Sequence, residues 1–136
     1  LLIEALKDRS ARVRVAAAGA LGPWASRSVG VVDAAARTLN DEEGWVRFSA
    51  IGAVGRVGSS NPAVIAGLIR RLADSDRLST NGMVTIRRGA ARVLGTMGTE
   101  ARTAVPALER LMTAEPWITN SPISDAHDAH FPGRGP

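Results

Sequence analysis

The sequence contains the blocks Leu6-Lys7-Asp8, Val13-Arg14 and Ala20-Leu21-Gly22, and the same pattern returns 33 residues later as Leu39-Asn40-Asp41, Val46-Arg47 and Ala53-Val54-Gly55. A third copy begins on the same period with Leu72-Ala73-Asp74. Its second half, from Ile86-Arg87 to Leu94-Gly95, is displaced by 40 residues, so seven residues are inserted between Ser75 and Thr85. A repeat of this length predicts one structural unit copied along a line.

Each copy reads as a helix, a turn and a second helix. Apolar residues recur at spacings of three and four in two runs separated by a short break. Asp41 and Asp74 lie in the break and suit a helix start, while Gly55 and Gly95 suit a helix end. We therefore expect no β-sheet. The predicted first helices cover residues 1–7, 29–39, 63–72 and 103–112, and the predicted second helices cover residues 11–21, 44–54 and 84–94.

Small residues are frequent in the predicted second helices, as in Ala16-Ala17-Ala18-Gly19-Ala20. Such helices offer little side-chain bulk, so neighbouring backbones can approach closely. Glycine inside a helix costs up to about 1 kcal/mol of helix propensity. We therefore interpret Gly19, Gly52 and Gly89 as residues selected for tight packing.

The repeat predicts a single array followed by a tail. Its copies span residues 1–28, 29–61 and 62–101, with a half repeat at residues 102–112. From residue 113 to residue 136 the periodicity ends and Pro and Gly become frequent, which predicts an irregular tail without a core of its own. We expect this tail to be pinned over the end of the array, or onto another protein, by Trp117, Ile118, Ile123 and Phe131.

The repeated residues distinguish between families of helical repeats. The chain lacks the Thr-Pro-Leu-His signature of ankyrin repeats, and it contains no Tyr, which the tetratricopeptide pattern requires. Its pattern is Leu-x-Asp, four residues, Val-Arg, two residues, Ala, and then Ala-Leu-Gly or a close variant. This pattern resembles the short HEAT-like repeats of the phycobilisome-lyase type, over residues 2–112.

The resemblance implies an all-α fold, a short right-handed armadillo-like α-solenoid of about three and a half helical hairpins, with the second helices along a concave face. It also implies a ladder of hydrogen bonds between neighbouring copies, formed by the repeated Asp and Arg. We interpret these residues as structural, because stacking requires the same placement in every copy and a ligand does not. The ladder residues are Asp8, Arg14, Asp41, Arg47, Asp74 and Arg87.

Composition limits the possible classes of site. Hydrophobic residues make up 45% of the 136 residues, enough for one continuous core, while aromatic residues make up only 4%. So few aromatics argue against a base-stacking surface or an aromatic-lined pocket for a cofactor. The absence of Cys removes disulfides and thiolate metal sites.

The longest apolar stretch, residues 15–25, is too short and too rich in Gly to span a bilayer. We therefore expect a soluble intracellular protein, either cytoplasmic or organellar. The N-terminal end presents Leu1, Leu2 and Ile3, and we expect further residues or a partner to cover it.

The chain is basic, with a net charge of +4, and Lys7 is its only lysine. Arginine offers a planar fork that suits both phosphates and carboxylates. A basic concave strip would suit nucleic acid, as in the HEAT-like alkylpurine glycosylases, but Asp and Glu are interleaved with the arginines. We therefore favour a protein-binding surface over a nucleic-acid one. The arginines on or near the second helices are Arg12, Arg14, Arg47, Arg87, Arg88 and Arg92.

Nothing in the pattern brings a nucleophile and a base together, so we expect no enzyme activity and no cofactor. His127 and His130 lie in the tail, at a spacing that matches no strict metal site. The favoured function is a non-enzymatic interaction or scaffolding module that acts as a subunit of a larger assembly. Two alternatives stay open: a nucleic-acid-binding surface, and a chaperone-like subunit related to bilin lyases.

Specific contacts are expected where the repeat is irregular. The insert at residues 76–85 is free to evolve contacts, or it is only a tolerated loop extension. Trp24 and Trp45 are bulky exceptions that could anchor a partner or fill space left by small residues. The candidate partner contacts are Arg12, Trp45, Asp76, Arg77, Leu78, Asn81, Met83, Arg88, Arg92, Trp117 and Phe131.

Overall fold

The computed structural model describes residues 1–23, 28–57, 61–75, 78 and 86–114, and every regular element in these ranges is helical. The chain divides into two units, Leu1–Gly67 and Leu68–Pro136. The predicted insert, except Leu78, and the contacts predicted for Trp24, Trp117, Ile118, Ile123 and Phe131 lie outside the described residues.

The first unit contains two helical hairpins and the start of a further helix. Helices α1 (Leu2–Ala5) and α2 (Ala11–Leu21) form the first hairpin, and α3 (Val29–Thr38) and α4 (Gly44–Val57) form the second. The most extensive contact between helices joins α2 to α4, and α4 also packs on α3. Their core is fully buried and consists mainly of Leu21, Leu39, Val46, Val54 and Val64.

Helix α5 (Pro62–Arg71) begins in the first unit with a favourable start sequence. Asn61 precedes it, and its Oδ1 accepts a hydrogen bond from the Ala63 N–H at 2.8 Å. Pro62 occupies the first helical position, where its missing N–H costs nothing. The Asn61 Nδ2 also donates to the Asp33 Oδ1 at 3.3 Å, which ties the start of α5 to α3.

The second unit contains the last turn of α5, then α6 (Ile86–Thr96) and α7 (Val105–Ala114). A 3₁₀ segment, Gly98–Ala104, joins α6 to α7. Leu68, Ile86, Leu94 and Leu108 are fully buried and form its core. The predicted helix at residues 103–112 corresponds to α7, which starts two residues later because the 3₁₀ segment extends to Ala104.

The prediction that Gly55 and Gly95 end their helices is wrong. Helix α4 continues through Gly55 to Val57, and α6 continues through Gly95 to Thr96. A glycine helps to end a helix when it adopts the left-handed conformation. Among the described residues only Gly98 does so, with φ of 60°.

The packing role predicted for Gly19 and Gly52 is also wrong. Both are exposed, and a Cβ added at either position would meet nothing within 4 Å. Close packing occurs at Gly67 instead, where an added Cβ would lie 2.8 Å from the Leu39 Cδ1 and 3.3 Å from the Leu39 Cβ. The repeat shows that Gly19 and Gly52 occupy equivalent positions, but it does not show whether those positions face a neighbouring helix or the solvent. The sequence alone therefore gave the wrong prediction for both.

Candidate functional site

The central polar contact of the first unit joins Arg14 of α2 to Asp41, which lies just before α4. The Arg14 Nε donates to the Asp41 Oδ2 at 2.9 Å, and the Arg14 Nη2 donates to the Asp41 Oδ1 at 3.0 Å. Both side chains are largely buried, with exposed fractions of 10% and 12%. Such a two-bond contact uses the planar fork of arginine and fixes its direction.

Arg14 also binds the turn of its own hairpin. Its Nη1 donates to the carbonyl oxygens of Asp8 at 2.9 Å and Arg9 at 3.3 Å. Arg47 makes the equivalent bonds one repeat later, from its Nη1 to the carbonyl oxygens of Asp41 at 2.8 Å and Glu42 at 2.9 Å. Each arginine therefore ties its second helix to the turn that precedes it.

The repeated aspartates shape those turns. The Asp8 Oδ1 accepts the Ser10 N–H at 2.7 Å, and the Asp41 Oδ1 accepts the Glu43 N–H at 2.9 Å. Asp and Asn often close a turn through the backbone N–H two residues later. The aspartates therefore close the turn before the helix, whereas the sequence predicted that they cap the helix itself.

The ladder residues of the third copy are Asp74 and Arg87. Asp74 is largely buried, and its Oδ2 accepts a hydrogen bond from the Arg71 Nη1 at 3.1 Å. Arg87 is half-buried on α6. The Arg14–Asp41 contact is the described example of an Arg–Asp pair between neighbouring copies, and a ladder through all three copies stays a prediction.

The Arg14 guanidinium is held in its charged form. The hydrogen bond to the Asp41 carboxylate raises the pKa of Arg14 above its ordinary value, and this effect exceeds the opposing effect of burial. The carboxylates of Glu42 and Glu43 act in the same direction. These charges bind one another, which is the arrangement expected of a structural pair.

The two aromatic side chains among the described residues, Trp45 and Phe48, lie near the start of α4. Trp45 is 46% exposed, and its ring meets that of Phe48 edge to face, with the centroids 6.0 Å apart and the planes at 89°. Phe48 is half-buried and so supports one side of the indole. An exposed, supported indole is a typical anchor for a protein partner.

The remaining described candidates lie on surfaces. Arg12 is exposed on α2, Leu78 is half-buried, and Arg88 and Arg92 are exposed one helical turn apart on α6. Asp76, Arg77, Asn81 and Met83 lie outside the described residues, as do His127 and His130. No group of acidic, His or Cys side chains suited to a metal ion occurs in the described ranges.

Each unit has a shallow open depression. One has a volume of 210 Å³ and lies between α1 and α3, where Ile3, Leu6, Ala34 and Arg37 line it. The other has a volume of 270 Å³ and is lined by residues of α5, α6 and α7, among them Ile69, Arg87 and Leu111, and by Leu72, which follows α5. Both are smaller than a typical small-molecule pocket, which measures roughly 300–1,000 Å³.

The sequence did not predict one feature of the surface, the exposure of Val13. Val13 is 39% exposed although its equivalent in the second copy, Val46, is fully buried. The two are the same residue in the same repeat position, so residue type gave no signal.

Comparison with known proteins identifies the repeat. A family model for HEAT repeats matches residues 1–80, more than half of the chain. The chain belongs to the HEAT-repeat family. No curated protein matches this HEAT-repeat chain significantly. No helix among its described residues has both the length and the apolar character that crossing a bilayer requires.

A solved structure supports the same fold over nearly the whole chain. The HEAT-repeat chain is similar to a chain in the complex of CpcE and CpcF of phycocyanin lyase from Nostoc sp. PCC7120, with a TM-score of 0.74 and 26% identity. The match covers 95% of this chain and 52% of that chain, so this chain spans about half of that chain's length. The predicted all-α, HEAT-like fold class is confirmed.

Proposed function

We propose that this chain is a non-enzymatic protein-binding module that acts as a scaffolding subunit of a larger assembly. The observation that carries the proposal is the similarity, over 95% of the chain, to a protein whose structure was solved as a complex of two proteins. HEAT repeats stack into extended surfaces, and such surfaces typically bind other proteins.

The described surface favours a protein partner. Trp45, supported by Phe48, offers a large apolar contact with few rotatable bonds. Arg12 occupies the equivalent position one repeat earlier and is exposed, so it offers a polar contact at the matching position of the preceding repeat. In the proposal Arg12, Trp45, Leu78, Arg88 and Arg92 contact the partner, as do the candidates outside the described residues.

The polar groups favour binding over catalysis. A catalytic site needs a nucleophile beside a base, or another convergent set of activated groups. The largely buried pair of Arg14 and Asp41 is occupied by hydrogen bonds that connect two repeats. A pair committed to stacking in this way is not available to a substrate.

A second candidate follows from the neighbour itself. Because that structure is one of a phycocyanin lyase, this chain could serve as a subunit of a related lyase complex. Incubating the chain with a bilin and phycocyanin apoprotein tests this candidate. A chain-dependent covalent adduct, seen by mass spectrometry and by visible absorbance, would support it, and the absence of both would remove it.

Affinity purification from the cells of origin tests the main proposal. The tagged chain is purified with and without nuclease treatment, then cross-linked and analysed by mass spectrometry. A stoichiometric protein partner that survives nuclease is the expected result. Recovery of nucleic acid instead, with binding to random duplex DNA that weakens steeply as salt rises, would favour the nucleic-acid alternative and overturn the proposal.

A further inference from the structure

The two shallow depressions occupy the same position in the repeat. We call the depression at α1 and α3 the first groove, and the depression at α5, α6 and α7 the second groove. When the copies are aligned by their successive shifts of 33, 33 and 40 residues, all seven lining residues of the first groove match lining residues of the second. Among them, Ile3, Leu6 and Arg37 of the first groove match Ile69, Leu72 and Arg110 of the second.

The grooves result from the stacking of first helices. Helix α1 is the first helix described, but α5 and α7 both follow earlier copies. The same depression nevertheless forms at both places, with equivalent residues around it. It is therefore a property of the repeat and does not depend on an end of the array.

The floor of each groove is apolar and has room for a single side chain. Leu6 and Ala34 are buried in the first groove, as are Leu72 and Leu111 in the second. The volumes of 210 and 270 Å³ are too small for a typical small molecule. Pockets that accept one side chain at a time are instead typical of surfaces that bind peptides.

An exposed arginine lines each groove. Arg37 in the first groove and Arg110 in the second are exposed, and their side chains make no hydrogen bond or ion pair with another residue of the described ranges. Arg70 occupies the same position in the third copy, so arginine recurs there in three copies. The fold accounts for the recurring Arg14 and Arg47 through their bonds to the turns, but it gives no such reason for Arg37 and Arg110.

The charges around both grooves favour an acidic ligand. The second groove is lined by Arg87 and Arg110 and by no acidic residue, and all of its lining residues are described. The first groove is lined by Arg37 and by Asp41, whose carboxylate already accepts two hydrogen bonds from Arg14. A carboxylate beside an apolar side chain would complement both the rim and the floor.

We propose that each groove binds an acidic linear peptide segment of a partner protein, which inserts one apolar side chain and pairs a neighbouring carboxylate with Arg37 or Arg110. The inference rests on the proposed function and names the chemistry of the partner. The apolar side chain covers the buried floor at Leu6 and Ala34, or at Leu72 and Leu111. The arginine fork at the rim selects a carboxylate over a neutral amide.

Titration of the isotope-labelled, full-length chain with a synthetic peptide, Gly-Ser-Asp-Glu-Leu-Asp-Glu-Ser-Gly, tests the proposal by NMR, because amide shifts report on each groove separately. We expect saturable shifts at Ala34 and Arg37 in the first groove, and at Arg110 and Leu111 in the second. A peptide with Ser in place of Leu should give no saturable shift, because nothing fills the apolar floor. A peptide with Asn and Gln in place of Asp and Glu should bind about threefold more weakly, as for loss of an exposed ion pair.

A double-mutant cycle separates pairing from a structural role of the arginines. Arg37→Gln should weaken the acidic peptide about threefold at the first groove alone, and leave the Asn/Gln peptide unchanged. Arg110→Gln should do the same at the second groove alone. Arg102→Gln removes an equal charge from an exposed residue that lines neither groove, and should change nothing. Equal weakening of both peptides by Arg37→Gln would overturn the proposed pairing.

Other occupants of the grooves give different results in the same experiment. Absence of saturable shifts at millimolar peptide, or a response in one groove only, would overturn the proposal. Shifts of the groove amides that depend on the concentration of the free chain would assign the grooves to a second copy. Nuclear Overhauser effects between the Leu111 methyl groups and residues 115–136 would assign the second groove to the tail, and either result would also overturn the proposal. A partner recovered by affinity purification would then contact another surface, so failure of the grooves is distinct from failure of the proposed function.

Discussion

Arg14 and Asp41 are separated by 27 residues in the sequence and are joined by two hydrogen bonds of 2.9 and 3.0 Å. The contact connects the second helix of one hairpin to the turn of the next. At the same time, the Arg14 Nη1 donates a hydrogen bond to the turn of its own hairpin, at the Asp8 carbonyl oxygen. One guanidinium therefore fixes both the internal geometry of a repeat and its stacking on the following repeat.

Replacing this fork should destabilise the first unit. Arg14→Lys keeps the charge but loses the paired geometry, and we expect Tm to fall by about 5 °C. Arg12→Lys, two residues earlier and exposed, is the matched control and should leave Tm unchanged. Circular dichroism melts of the three proteins make the comparison. Identical melts for Arg14→Lys and the natural chain would show that the fork contributes nothing to stability.

The raised pKa of Arg14 sets the pH dependence of this contribution. A group whose pKa is higher in the folded state stabilises the fold below its ordinary pKa and loses that effect only above it. The Tm difference between the natural chain and Arg14→Gln should therefore be the same at about pH 7 and about pH 10. A difference that shrinks markedly by the higher pH would contradict the assignment.

Gly67 allows α5 to approach the Leu39 side chain. An added Cβ would lie 2.8 Å from the Leu39 Cδ1, and Leu39 is fully buried and has little room to move. We expect Gly67→Ala to lower the free energy of unfolding by about 1–3 kcal/mol through overpacking. Urea unfolding of the variant measures the change. An unchanged or increased stability would show that Leu39 moves aside without cost.

Gly52 should behave in the opposite way. It lies inside α4, is exposed, and an added Cβ would meet nothing within 4 Å. Gly52→Ala should therefore raise the free energy of unfolding by about 0.5–1 kcal/mol, because Ala restricts the unfolded chain and favours helix. Gly19→Ala on α2 should do the same. If either variant unfolds at lower urea than the natural chain, that position is less open than described.

Gly98 differs from Gly67 and Gly52, because its backbone conformation requires a glycine. Its φ of 60° lies in the left-handed region, which costs a side-chain-bearing residue about 1–2 kcal/mol. We expect Gly98→Ala to lower the free energy of unfolding by that amount and to shorten the 3₁₀ connection to α7. Gly52→Ala serves as the comparison, since the same change at an open helical position should stabilise.

These glycines separate the parts of the fold that the sequence predicted from the parts that it did not. Spacing of apolar residues identified the helical hairpins, because a repeat must bury the same face in each copy. It placed the helices α2, α3 and α4 close to their observed bounds. It did not separate an exposed glycine from a packed one, because the face of a glycine depends on which neighbouring helix lies beside it.

The candidate site was less predictable for the same reason. Trp45 is 46% exposed on α4, whereas the sequence left open whether it was an anchor or a filler. The exposure of Val13 on α2 could not be predicted from the sequence, because Val13 and Val46 are the same residue in the same repeat position. Both depend on neighbours that periodicity does not specify.

Trp45 should matter for binding and not for folding. Because the indole is half exposed, Trp45→Ala should change the free energy of unfolding by less than about 1 kcal/mol, while affinity for a co-purified partner falls tenfold or more, as for a binding hot spot. Surface plasmon resonance with that partner provides the measurement. A loss of stability as large as the loss of binding free energy would identify Trp45 as a structural residue.

Hydroxyl-radical footprinting of the purified assembly is the most direct test of the claim that this HEAT-repeat chain binds another protein through its described surface. Trp45 should oxidise readily in the free chain and be strongly protected in the assembly, while Met97, only 9% exposed, should react weakly in both. Equal oxidation of Trp45 in the free chain and in the assembly would contradict the account.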